Sequence, residues 1–130
     1  MSITEELLRL ILGPVRSDIR PLVVAVEHTS DLLYREKMTQ SDIHVTTDIY
    51  PVVAKRIRKK ESTIAKSVER LAMLCWESLD GEQMMQIIGK CLNRQPAPRE
   101  VLFYLAFYVH HQRPFYPATL SELFAPSIAL

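Results

Sequence analysis

Between positions 55 and 70 seven basic residues stand against two acids, Glu61 and Glu69, and no other stretch of the chain is so charged. Lys55, Arg56, Arg58, Lys59 and Lys60 fall within six positions, the hydroxyls of Ser62 and Thr63 follow, and Lys66 and Arg70 come after them about one helical turn apart. Ammonium, guanidinium and hydroxyl groups at this density suit phosphate oxygens. Cations neutralise backbone charge and release counterions, while groups on a protruding helix reach base edges. Residues 1–54 are net acidic and residues 71–130 close to neutral, so the overall charge of +1 conceals one positive segment.

Elements must exist to hold these groups out. Pro51 suits the first turn of a helix and pushes the residue before it out of the helical region. A compact helix is therefore expected from Pro51 to about Arg58, with Val53, Ala54 and Ile57 on one side. After a turn at Lys59 and Lys60, Ser62 is expected to cap a longer helix to Trp76. Ile64, Val68, Leu71 and Cys75 would form its inner face, and Lys66, Glu69 and Arg70 its outer one. Short helix, tight turn and longer helix spell a helix-turn-helix. The DNA-binding set is then Lys55, Arg56, Lys59, Lys60, Ser62, Thr63, Lys66 and Arg70, with double-stranded DNA as partner and the longer helix in the major groove.

The rest of the chain also reads as helix. Ser2-Ile3-Thr4-Glu5 has capping-box spacing before Leu7, Leu8, Ile11 and Leu12, and Gly13-Pro14 closes that segment. A second helix runs from near Asp18, with Pro21 in its first turn, to about Glu36. Asp42 to Ile49 is read as a short helix despite the β-branched run Val45-Thr46-Thr47. Asp80 is expected to cap a helix stopping at Gly89, and Arg99 to His111 a further helix ended by Pro114 and Pro117, with one last turn from Thr119 to Phe124. No hairpin signal and no repeat interrupts this pattern, so the expectation is an all-α domain, a bundle of about six helices, over residues 1–114. Residues 115–130 form an apolar extension with one charge, Glu122, expected either to fold back on the domain or to mediate a homodimer.

The segment from Ile49 to Trp76 resembles, without gaps, the C-terminal effector domains of the sporulation-initiation response regulators of spore-forming Firmicutes. That family reads Leu-Tyr-Pro-x-Ile-Ala-Lys-Lys, a turn, Ser-Arg-Val-Glu-Arg-Ala-Ile-Arg and a closing Ala-Trp. Here stand Ile49-Tyr50-Pro51-Val52-Val53-Ala54-Lys55-Arg56, Ser62-Thr63-Ile64 and Cys75-Trp76. Weaker likeness at Leu7-Leu8, Leu12-Gly13 and Gln95 to Val101 extends the resemblance over about residues 4–110, with an insertion before Tyr50 and an added tail after His111. The resemblance implies a six-helix bundle around a DNA-binding helix-turn-helix, and here an effector domain standing alone, without a phosphoacceptor receiver. Where the family presents arginines and a glutamate to base edges, this chain has Thr63, Ala65, Lys66 and Glu69, so the family's operator is not implied. Only Lys66 keeps a base there, and a lysine lacks the planar fork that arginine offers guanine.

Other chemistries find no support. His28, His44, His110 and His111 do not combine with Cys75 and Cys91 at metal-ligand spacing, no nucleophile stands beside a base, and no glycine-rich phosphate loop occurs. No metal, cofactor, small-molecule substrate or catalytic activity is expected. The two cysteines lie in apolar contexts and read as buried reduced thiols, and Trp76, Tyr104, Phe107 and Tyr108 as core or interface side chains. No run of eighteen apolar residues is present and the chain opens on acids rather than a basic leader, so a cytoplasmic, membrane-free protein is expected. The reading is a transcriptional regulator. Its alternative is a diverged interaction or adaptor protein that keeps the fold without operator readout.

Overall fold

The computed structural model describes residues 2–92 and 94–116. Six α-helices and no strand occur among them: α1 Ile3–Leu12, α2 Arg20–Ser30, α3 Tyr50–Ile57, α4 Glu61–Ser78, α5 Gly81–Ile87 and α6 Pro98–His111. The all-α bundle expected from the apolar spacing is what the chain forms. None of these helices is long and apolar enough to cross a membrane.

Local chemistry accounts for most boundaries. The Ser2 hydroxyl accepts from the Glu5 amide at 3.1 Å, capping α1, while the Glu5 carboxylate turns along the helix to Arg9 at 3.2 Å rather than back to the cap. Gly13, at φ +70, closes α1 in a conformation that glycine adopts without a Cβ clash. Asp80 and Gln83 form a reciprocal capping box that starts α5. At α6 the Glu100 carboxylate accepts from the Ala97 amide at 3.1 Å, and Pro98 occupies the first turn, where a missing N–H costs nothing.

Two expectations need correction. The second helix reaches Ser30 as α-helix and continues as a π-helical turn, Asp31–Arg35. The helix expected over Asp42 to Ile49 is instead a 3-10 turn, Gln40–Asp42, followed by a π-helical turn, Val45–Ile49. The β-branched Val45, Thr46 and Thr47 crowd the preceding turn of an α-helix, which is why this stretch winds irregularly.

α2 is the hub, packing against α1, α3, α4 and α6, and α6 packs in turn on α4 and α5. Leu8, Leu22, Val26, Ile43, Ile49, Val53, Ile64, Val68, Leu71, Leu102 and Leu105 are wholly buried between them. Each large aliphatic side chain so buried contributes about 1.5–3 kcal/mol relative to exposure. Beyond α6, the Phe115 and Tyr116 amides donate to the carbonyls of Ile87 and Ile88 at 3.0 and 2.7 Å, tying the start of the extension to the end of α5. The last helical turn expected from Thr119 to Phe124, and the rest of the apolar tail, lie outside the described residues.

Candidate nucleic-acid interface

α3 and α4 set the charged residues out through the inward side of each helix. Tyr50, Val53 and Ala54 are buried on α3, which leaves Lys55 and Arg56 exposed. On α4 the inward positions are Ile64, Val68, Leu71, Ala72 and Cys75, and the exposed ones include Ser62, Thr63, Lys66, Glu69 and Arg70. Ser62, Lys66 and Arg70 follow one another at four-residue intervals, with Thr63 and Glu69 alongside. One helical face therefore carries two hydroxyls, two cations and a carboxylate.

The connection between the helices is three residues long. Arg58 takes the left-handed conformation, φ 65 and ψ 49, and its amide donates to the Ala54 carbonyl at 2.8 Å, which ends α3. Lys59 follows, and Lys60 is extended at φ −68, ψ 145, with its carbonyl accepting the Ile64 amide at 3.0 Å. The expected cap at Ser62 is thus corrected. Lys60 is the capping position, Glu61 opens the first turn where its charge complements the helix dipole, and Ser62 lies inside the helix with its hydroxyl outward. α4 also runs two residues beyond Trp76, to Ser78.

The structure brings Arg58, Lys59 and Lys60 into one exposed turn beside the exposed N-terminal half of α4, where Ser62, Thr63 and Lys66 stand. Lys55 is exposed on the last turns of α3. Arg56 has a different setting: it lines a shallow depression with Thr4, Glu27, Asp31 and Val109, sharing it with two acids of the α2 region. Arg70, exposed, donates to the Ser17 hydroxyl at 3.4 Å.

That last contact exposes a part of the surface that reading along the chain missed. The α1–α2 connection returns beside α4, since Ser17 meets Arg70, and Asp18 lies close enough to Lys59 to be influenced by its charge. Arg20 grips the Asp18 carboxylate through several N–H bonds of 2.7–3.0 Å, and this bonding holds the Asp18 carboxyl below its ordinary range. Asp18 thus has its charge largely answered within its own loop, in which Arg16, exposed, is the residue before Ser17. The Ser17–Arg70 contact spans 53 positions, and it and the approach of Asp18 to Lys59 carry no local sequence signal.

A second contact crosses from α3 to α4. The Tyr50 hydroxyl donates to Glu69 Oε2 at 3.1 Å. Burial, and then the facing carboxylate, holds the Tyr50 phenol well above its ordinary value, so it is a proton donor throughout the physiological range.

Several other side chains weighed for chemistry pack or bond within the fold. Among the described residues no three His, Cys, Asp or Glu gather as a metal site. His28 bonds the Asp48 carbonyl at 2.9 Å, and Tyr34 stacks on His110 at 4.1 Å with His111 edge-on at 5.1 Å. Tyr104 is buried and Trp76, Phe107 and Tyr108 are half-buried. Cys75 is buried, its thiol pushed up to about 12 by desolvation. Cys91 is exposed, which corrects the expectation of two buried thiols: it lies in the loop after α5, where the apolar Leu92 beside it gives no cover. No protein-family model, curated protein or solved structure matches the chain.

Proposed function

We propose that the chain is a DNA-binding transcriptional regulator that uses α3, its turn and α4 as a helix-turn-helix. In this reading α4 enters the major groove by its N-terminal half, and the turn cations meet phosphates at the groove's edge. The observation that carries it is the joint exposure of Lys59, Lys60, Ser62, Thr63 and Lys66 on one turn and one helix face, all backed by a buried apolar side. The resemblance to the sporulation-regulator effector domains supports the same assignment, as does the loop that sets Ser17 against Arg70. The protein acts in the cytoplasm, without cofactor or catalysis, and pairs as a homodimer where its target offers two half-sites.

The test is fluorescence anisotropy on a random pool of duplex DNA with wild type and a Lys59→Ala, Lys60→Ala, Lys66→Ala variant. The reading expects binding by the wild type and loss in the variant, and it fails if neither binds at low salt. One observation favours a second reading, a protein-interaction module: Ile3 and Leu10 on α1 are 58% and 72% exposed, an apolar pair without cover among the described residues. That reading expects salt-insensitive association with a protein, abolished by Leu10→Glu.

A further inference from the structure

Glu69 is an exposed acid between Lys66 and Arg70 on the outward face of α4 that also carries Ser62 and Thr63. A carboxylate facing phosphates would oppose binding, and a long exposed side chain normally samples many rotamers. Neither description fits its surroundings. Tyr50 is 3% exposed, its ring fixed in the core, and its hydroxyl holds Glu69 Oε2 at 3.1 Å. Among the described residues Glu69 makes no ion pair, neither with Lys66 one turn before it nor with Arg70 beside it. The carboxylate is thus anchored by one oxygen, and its other oxygen keeps its full acceptor capacity.

The major-groove edges decide what such a group can meet. An ionised carboxylate only accepts, and the donors on that side of the duplex are the amino groups of cytosine and adenine. Adenine sets its N7 acceptor beside its amino group and thymine shows a carbonyl, both repelling a carboxylate. Cytosine offers its amino group with only a C–H beside it. We infer that Glu69 reads a cytosine in the major groove, with Tyr50 as the residue that positions it.

This inference rests on the DNA-binding reading and deepens it. Lys66, three residues earlier on the same face, sits where it can approach a neighbouring guanine or phosphate. Ordering Glu69 before contact spares part of the rotamer entropy that an unanchored side chain gives up on binding.

The experiment is selection of bound duplexes from a randomised pool, followed by sequencing, for wild type, Glu69→Ala, Glu69→Gln and Tyr50→Phe. The wild type should retain sequences with one position enriched for cytosine about tenfold, the scale of one good base-edge contact. Glu69→Ala should erase that preference at its one position, and Glu69→Gln should move it toward adenine, whose amino group and N7 match a side-chain amide. Tyr50→Phe keeps the ring and should weaken the cytosine preference several-fold with the base preferences at other positions unchanged, a shift at one position that a purely structural tyrosine would not produce. If Glu69→Ala retains the same motif as wild type, or the wild type shows no preferred base at any position, the inference falls while DNA binding stands. If the wild type retains no duplex at all, both fall. A cytosine preference intact in Tyr50→Phe removes Tyr50 from the account.

Discussion

The hydroxyl of Tyr50, the first residue of α3, donates to the carboxylate of Glu69, about two turns into α4, at 3.1 Å. This bond braces the two helices at the end away from their connecting turn and fixes the angle between them together with the apolar packing of Val53, Ile64 and Val68. Tyr50→Phe should lower the free energy of unfolding by about 1 kcal/mol, a typical net value for a hydrogen bond with one solvated partner. Urea denaturation of Tyr50→Phe, Glu69→Ala and the double variant checks it. The double variant should cost less than the sum of the two singles, and strict additivity would mean the bond contributes nothing.

Arg58 sits in the left-handed region without being glycine. A side chain there costs about 1 kcal/mol that glycine avoids. Arg58→Gly should therefore raise the melting temperature by a few degrees and at the same time weaken DNA binding by removing a turn cation. Calorimetry and anisotropy on one variant would show these opposite movements, and a fall in stability would show that the arginine stem packs more than it strains.

Gly89 has φ +96, and a Cβ there would collide with the Tyr116 carbonyl. The amide of Tyr116 bonds Ile88 next to it, and Lys90 lies over the Tyr116 ring at 4.0 Å. Gly89→Ala should loosen the Phe115–Tyr116 segment and destabilise the fold by more than about 1 kcal/mol. Amide hydrogen exchange should show the loss first at the amides of Phe115 and Tyr116, and unchanged protection there would contradict the placement.

The two thiols should differ in reactivity. Cys91, exposed, should be titrated by a disulfide reagent in the native protein, while Cys75, buried with its thiol pushed up to about 12, should react only on unfolding. One rapid thiol in native buffer and two in denaturant is the expected count, with two rapid native thiols as the contrary result.

Acidification should weaken the far end of the bundle, where Tyr34, Phe107, His110 and His111 stack. Partial burial, with the charges of His110 and Arg113, holds the His111 imidazole below its ordinary value of 6.5. The unfolded chain then binds the proton more readily, so this contribution is complete above 6.5 and is lost as pH falls through the depressed value. Thermal melts at pH 7.5 and 5.5 should show a loss at the lower pH that is smaller in His111→Phe. Equal losses in the two proteins would place the dependence elsewhere.

The elements were readable wherever a local signal set them. Ser2 and Gly13-Pro14 delimit α1, Asp80 and Gln83 start α5, and the apolar spacing of Ile64, Val68, Leu71 and Cys75 gives the inner side of α4. The start of α4 misled because serine is the stronger capping residue, yet the left-handed turn at Arg58 brings the chain into helix two residues sooner, at Lys60. Exposure of Lys59, Lys60, Ser62, Thr63 and Lys66 was legible from periodicity. The setting of Arg56 beside Glu27 and Asp31, the approach of Ser17 to Arg70 and the anchoring of Glu69 by Tyr50 were not, since each depends on how distant helices pack.

Phosphate contact by the turn and α4 cations is read from the wild-type duplex-DNA affinity between 50 and 300 mM salt. With Lys55, Lys59, Lys60, Lys66 and Arg70 near phosphates, a plot of log affinity against log salt should fall with a slope of roughly −3 to −5, and the Lys59→Ala, Lys60→Ala, Lys66→Ala variant should flatten it by about two to three. An affinity independent of salt, or no binding at 50 mM, would contradict the account and turn attention to the exposed apolar residues of α1.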